Sequence, residues 1–270
     1  MNALPYIMSI HIYPVKSLDG ISLTQATILE SGAIEHDREL ALFDENGNFV
    51  NGKRNAKVHL LRSQFDDELN YISLQIQGTD QKATFHLDKE RTKLEDWLSN
   101  YFGIPVKLKQ NLITGFPDDL NAKGPTVIST GTIEEIASWF PGLSVEEMRL
   151  RLRANLEIAG VPPFWEDRLF AQAGQCVRFK VGEVLFEGIN PCQRCIVPTR
   201  DSKTGEATAN FQKVFINKRQ QSLPSWTIPQ RFNHFYRLSV NTNVPTSEAG
   251  KVVRVGDAIA ILGASESQLS

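Results

Sequence analysis

Cysteine is scarce in this chain: three residues among 270. So small and odd a number does not make a disulfide framework, so a reducing compartment is expected, with the cytoplasm as default location. No two glycines stand as Gly-x-Gly, which removes the dinucleotide fingerprint and the kinase-type phosphate loop. There is no Gly-x-Ser-x-Gly elbow of the hydrolase kind. Nowhere do about 18 apolar residues run consecutively, so no membrane span is expected. Residues 1–6 lack a basic stretch followed by an apolar run, and no secretory signal is read there. A net charge of −2 gives no reason to expect nucleic acid or an anionic membrane as partner. The five histidines, at 11, 36, 59, 86 and 234, show no metal-ligand pairing.

What is present is an ordinary globular composition, 41% hydrophobic and 22% charged, long enough for two domains. Met8, Ile10 and Ile12 alternate with polar residues, as in a half-buried strand, and Ile72, Leu74 and Ile76 do the same. Residues 39–43 and Phe49-Val50 flank Asn46-Gly47, a hairpin signal, and residues 83–87 add a strand. Leu94, Trp97, Leu98 and Tyr101 mark one helix face that Gly103 ends. The polar stretch 111–125 holds the expected boundary between a domain at 1–118 and one at 119–264. Beyond it, Thr132 with Glu135 and Ser144 with Glu147 read as capping boxes of two helices. Strands are expected at 156–158, 177–181 and 184–189, helical turns from Phe211 to Lys218, and a hairpin over 252–262 turning at Gly256-Asp257. Residues 264–270 read as a frayed end. Many short strands with few helices predict a β-rich α+β fold of barrel type.

One stretch carries chemistry: Asn190-Pro191-Cys192-Gln193-Arg194-Cys195, then Pro198-Thr199-Arg200-Asp201 and Thr204-Gly205-Glu206. Two prolines argue against a helix and for a stiff loop between strands. Guanidinium groups beside a thiol favour the thiolate, the form that binds metals. Three readings stay open on spacing alone. A redox Cys-x-x-Cys normally opens a helix; a zinc site needs four ligands; buried cysteines often act as small hydrophobes.

Three further segments accompany this loop: Tyr13-Pro14-Val15-Lys16-Ser17 with Asp37-Arg38, residues 153–158 (Arg-Ala-Asn-Leu-Glu-Ile), and residues 253–257 (Val-Arg-Val-Gly-Asp). In this order the four motifs resemble the MOSC-domain family, named for the molybdenum cofactor sulfurase C-terminal domain. The resemblance is to the branch with an N-terminal β-barrel domain, which includes the mitochondrial amidoxime reducing component and bacterial counterparts. It implies an N-terminal barrel-like domain, a MOSC β-barrel domain, and a molybdenum–molybdopterin cofactor. Cys195 matches the metal ligand and catalytic residue. Lys16, Ser17 and Arg38 match the grip on the pterin's terminal phosphate, while Arg153, Asn155, Gln193 and Arg194 match positions lining the same cofactor. The implied reaction is reduction of a small N-hydroxylated or N-oxide compound. Electrons would come from a separate ferredoxin-, flavodoxin- or cytochrome-type donor, because no cysteine follows Cys195 to hold a cluster. Basic residues Lys213, Lys218 and Arg219 are one place for an acidic donor, or an ordinary solvated face. The alternative implied by the family is a molybdenum cofactor or sulfur carrier without N-reductase activity. One departure stands out: where relatives have Asp-Thr-Ser-Pro against the pterin, this chain has Asn121-Ala122-Lys123-Gly124-Pro125, and that contact is not carried over.

Overall fold

The structure, a computed structural model, describes residues 4–266. In the first strand, β1 (Tyr6–Ile12), the buried positions are Ile7, Ile10 and Ile12, whereas Met8 is 51% exposed. The alternation in the sequence suggests Met8 inside. A bulge between Ile7 and Ser9 changes the phase. One extra residue is enough to swap the two faces of a strand.

The remaining strands of the first half are β2 (Ile21–Leu23), β3 (Gln25–Thr27), β4 (Leu40–Phe43), β5 (Leu61–Phe65), β6 (Tyr71–Ile76), β7 (Lys82–His86) and β8 (Lys107–Gln110). Helix α1 (Arg91–Phe102) lies between the last two and ends at Gly103, whose φ of 75° is the left-handed value a C-terminal cap needs. The Asn46-Gly47 turn forms as expected, with Phe43 and Phe49 bridged. The second half contains β9 (Val127–Ser129), α2 (Thr130–Ser138), α3 (Val145–Leu152), β10 (Leu156–Ala159), β11 (Gln175–Val181) and β12 (Val184–Gln193). It continues through α4 (Phe211–Gln221), β13 (Arg237–Asn243), β14 (Val252–Arg254) and β15 (Ile259–Glu266).

Eight strands form the main sheet, in the order β15-β11-β12-β13-β9-β10-β1-β2. A bridge from Tyr6 to Ala258 joins β1 to the entrance of β15, with Ile7 N donating to Asp257 O at 2.9 Å. The sheet thereby rolls closed on itself, which removes the unpaired edges an open sheet would carry. Its interior holds Ile7, Ile10, Ile12, Phe179, Phe186 and Val240. A second core lies among β5, β6, β7 and α1, around Leu61, Ile72, Leu74, Leu94 and Leu98. A third joins α2, α3 and α4 through Ile133, Met148, Phe211 and Phe215. The chain is thus strand-rich α+β, as the sequence implies.

Four local expectations are corrected. The cap of α2 is Ser129, whose Oγ accepts from Thr132 N; Thr132 is inside the helix, buried, and bonded to Glu166. Residues 252–262 are not a hairpin: β14 pairs with β3, and β15 pairs with β11. Ala264, Ser265 and Glu266 belong to β15 rather than a frayed end, while residues 267–270 lie outside the described residues. Finally, β12 runs on through Pro191 and Cys192 to Gln193, so the loop is shorter than the two prolines suggest. Register shifts on both sides of Pro191 accommodate the missing donor.

Candidate functional site

The cysteine stretch is delivered by β12, which pairs with β13 as far as Gln193 opposite Arg237. Arg194 then leaves the sheet, tied by Nη2 to Leu152 O at 2.6 Å and by Nη1 to Cys192 Sγ at 3.6 Å. Pro198 sits in the short 3-10 turn Val197–Thr199 that follows. The next loop is anchored to α3: Ser202 N and Oγ both bond Glu147, and Arg151 pairs with Glu147 at 2.6 Å and Asp201 at 3.5 Å. Ser144 starts that helix by accepting from Glu147 N, as the sequence predicts, and Arg153 ends it in the left-handed conformation. One helix therefore fixes the thiol-bearing loop at one end and a cofactor-site candidate at the other.

The lysine and arginine expected on the opposite side come from turns. Lys16 is 5% exposed; its Nζ donates to Phe116 O and Asp118 Oδ1, both at 2.8 Å. Lys53 reaches the same carboxylate at 3.1 Å. Burial pulls the Lys16 pKa down, and Asp118 partly restores it. The Asp118 carboxyl, although burial opposes its charge, is held far below the usual range by Lys16 and Lys53. Arg38 pairs with Asp37 and donates to Asn155 Oδ1 at 3.4 Å. For Arg38, burial is outweighed by Asp37 and the pKa rises; for Arg153, burial wins and it falls. Tyr13 is the hinge between these two arginines: Arg153 lies 3.9 Å and Arg38 5.2 Å from its ring centroid. Cation–π contacts of this kind, in a buried setting, hold like charges near one another.

Asn155 is 1% exposed and works as a cross-link. Its Nδ2 donates to His11 O at 3.0 Å, and its Oδ1 accepts from Thr126 N and Oγ1 at 3.1 Å each. Three of the expected site residues also have unusual backbones: Ser17 (φ 74°), Arg38 (φ 53°) and Arg153 (φ 53°). Non-glycine residues in this region cost energy and concentrate at functional sites.

All eight expected residues, Lys16, Ser17, Arg38, Arg153, Asn155, Gln193, Arg194 and Cys195, line one cleft of about 980 Å³. Leu120, Ala122, Lys123 and Gly124 lie along its wall too, so the departing 121–125 segment borders the cleft. The sequence reading misses Tyr13, Lys53, Arg62, Arg200, Arg231 and Arg237, which the fold brings to the same lining. Tyr13 and Arg200 sit inside the sequence motifs but without an assigned role; no local pattern marks the other four. In all, eleven lysines and arginines line the cleft against four aspartates, in a protein whose net charge is −2. The Nε groups of Arg62, Arg194 and Arg200 are buried without a partner among the described residues. Such orphaned donors beside a cleft point to a ligand that accepts. Cys192 and Cys195 are both free and partly exposed there. Cys176 is fully buried with Ala122 and Ile189, and no group of three or more His, Cys, Asp or Glu side chains among the described residues could hold a metal alone. The four-ligand zinc reading of the cysteines therefore finds no ligand set.

A cationic cleft with one thiol loop, walled by a rolled sheet and the turns of a smaller strand domain, defines the class. Family models agree: residues 4–105 match the MOSC N-terminal beta barrel domain, and residues 126–260 match the MOSC domain. The chain belongs to the MOSC family, in the branch with that N-terminal domain. Among curated proteins it is similar to the molybdenum cofactor sulfurase of Drosophila grimshawi, 23% identical over 75% of this chain and 29% of the relative. The Homo sapiens protein of the same name is 21% identical over 77% of this chain and 28% of the relative. That of Caenorhabditis briggsae is 22% identical over 95% and 36%. The matched region thus spans about a third or less of each of these relatives.

Proposed function

We propose that this chain is a molybdenum-cofactor enzyme that reduces small N-hydroxylated or N-oxide compounds with electrons from a separate donor protein. The observation that carries the reading is the convergence of residues 16–17, 37–38, 153–155 and 190–195 on one cationic cleft containing the Cys195 thiol; the 253–257 motif does not line it. The donor set fits a phosphate-bearing pterin: fixed cations, orphaned guanidinium N–H groups and a partly exposed soft ligand. When bound, such a group would supply two-electron redox chemistry at a sulfur-ligated metal. The chain does the rest. Cys195 would hold the metal as a thiolate, a soft ligand. Lys16, Ser17 and Arg38 would take the phosphate, with Asp118 and Asp37 orienting the two cations beforehand. Arg153, held on Tyr13 and on Leu18 O at 2.7 Å, and Arg194 would line the rest of the ligand, with Gln193. Asn155 would act through Arg38 and Thr126 by keeping the two walls in register.

A second reading has its own support. Curated relatives are named molybdenum cofactor sulfurases, and both Cys192 and Cys195 are reachable from the cleft. On that reading Cys195 carries sulfur or the cofactor and no N-oxygenated compound is turned over. Metal analysis of protein from a molybdenum-replete host, mass spectrometry of Cys195, and turnover of an aryl hydroxylamine with reduced viologen separate the two. One molybdenum per chain with turnover is the expected result; a persulfide on Cys195 without turnover favours the second reading. NADH alone should not sustain turnover. Cys195→Ser is expected to abolish activity and change the metal's electronic spectrum, while Cys192→Ser keeps both. The reverse pattern would sink the ligand assignment. For the donor, Lys213 and Lys218 on α4 are exposed, but Arg219 is fully buried against Asp167, so the basic face is smaller than the sequence suggests.

A further inference from the structure

Most cations of the cleft have either an acidic partner or a place in the cofactor reading. Lys16 and Lys53 share Asp118, Arg62 faces Asp19 at 3.2 Å, and Arg38 pairs with Asp37. Arg231 and Arg237 have neither. Among the described residues no carboxylate lies within salt-bridge distance of them, yet both line the cleft. Arg231 donates to Ala171 O and, at 3.0 Å, to Ile189 O; Arg237 donates to Pro191 O at 2.9 Å and to Asn233 Oδ1. Those carbonyls on β12 flank Asn190, just before the two cysteines, so the pair sits beside the thiol loop. A guanidinium has five N–H donors, and these contacts leave some on each side chain unused. The two charges also feel each other: burial and then the neighbouring Arg237 depress the Arg231 pKa. Stapling carbonyls needs donors, not two like charges side by side. A bound anion would remove the repulsion.

We propose that Arg231 and Arg237 form a second anion subsite of the cleft, which takes a carboxylate or phosphate carried by the substrate, so that the compounds reduced here are N-oxygenated acids. This rests on the N-reduction reading. Guanidinium pairs suit such oxyanions because the planar fork donates two parallel bonds. The acid group would also fix the orientation of the N–O group relative to Cys195.

The test begins with binding, which needs no turnover. Calorimetry on the molybdenum-loaded protein at low salt compares benzamide, 4-carbamoylbenzoate and 4-carbamoylphenyl phosphate. At least one acid should bind about tenfold or more tightly than benzamide, by the usual strength of charge-assisted bonds. Which acid wins identifies the group. Equal binding of all three by the unaltered protein overturns the proposal without any variant. In R231Q/R237Q the preference should vanish; if it persists, the anion binds elsewhere and the subsite is refuted. Arg231→Lys, which keeps charge but loses the fork, should retain part of it if the double variant fails to fold. Kinetics then compare an aryl hydroxylamine with its 4-carboxylate: the double substitution should lower kcat/KM about tenfold more for the acid than for the neutral compound. Turnover of neither compound would sink the N-reductase reading while the binding preference still decides the subsite.

Discussion

Glu166 shows what a single buried side chain can do to the pH response. It is 1% exposed, and burial, reinforced by the neighbouring Asp167 charge, pushes its pKa up to about 7 from 4.5. The folded protein therefore keeps a proton that the unfolded chain releases near pH 4.5. Stability from this group is intact below that pH and is lost as pH rises to about 7, a loss on the order of 3 kcal/mol. Glu166→Gln can still accept from Thr132 Oγ1 but cannot ionise. Urea unfolding at pH 5, 6 and 8 should find the variant more stable than the parent at pH 8 and closer to it at pH 5. A parent-like decline in the variant would show that another group is responsible. At this scale the sequence was informative where chemistry is local and silent where it is not. Cys195, Lys16 and Arg38 sit in recognisable motifs, and all line the cleft. Arg62 and Arg231 carry no such mark, because their neighbours are supplied by residues 19, 171 and 189, all distant in sequence.

Among the elements, β12 has the most exacting position. Gly188 crosses Leu169 so closely that a Cβ would lie 1.7 Å from the Leu169 carbonyl oxygen. Backbone is on both sides of that contact, so neither partner can swing away. Gly188→Ala should cost about 3 kcal/mol or more, the upper end of overpacking effects, and should displace the strand that leads into the cysteines. Chemical denaturation measures the first effect, and loss of bound molybdenum the second. A change under 1 kcal/mol would mean the strand adjusts freely. Periodicity revealed the existence of this strand but not its end, since Pro191 reads as a stop while a bulged ladder tolerates it. The same limitation explains the misplaced cap of α2. Ser129 and Thr132 both precede suitable partners, and only the burial of Thr132 against Glu166 decides between them. Strand pairing over 252–266 was hidden for a different reason: a turn at Gly256-Asp257 suggests a hairpin, while the long-range partners β3 and β11 are invisible to any local window.

For the whole molecule, β1 is the decisive join. It comes from the first dozen residues yet lies in the main sheet between β2 and β10. Ile7, Ile10 and Ile12 fill the interior of the rolled sheet, each contributing about 1.5–3 kcal/mol by burial. Their sum is comparable with the total stability of an ordinary domain. A fragment of residues 119–264, the segment expected from sequence to be the second domain, lacks all three. It should not give a cooperative thermal transition by circular dichroism, whereas the full chain should. A sharp melt of the fragment would show that the second half closes its own core. The join also imposes a schedule on biosynthesis. Ile7 pairs with Ile158, and Tyr6 with Ala258. At about 5–20 residues per second, the ribosome delivers β10 roughly 8–30 s after β1 has emerged. Through that interval an isoleucine-rich strand with free N–H and C=O groups has no native neighbour on that side, and the closing bridge must wait longer still. The nascent chain is most vulnerable to wrong pairing at this strand, so its yield in a cell should depend more on holding chaperones than on the stability of the finished protein.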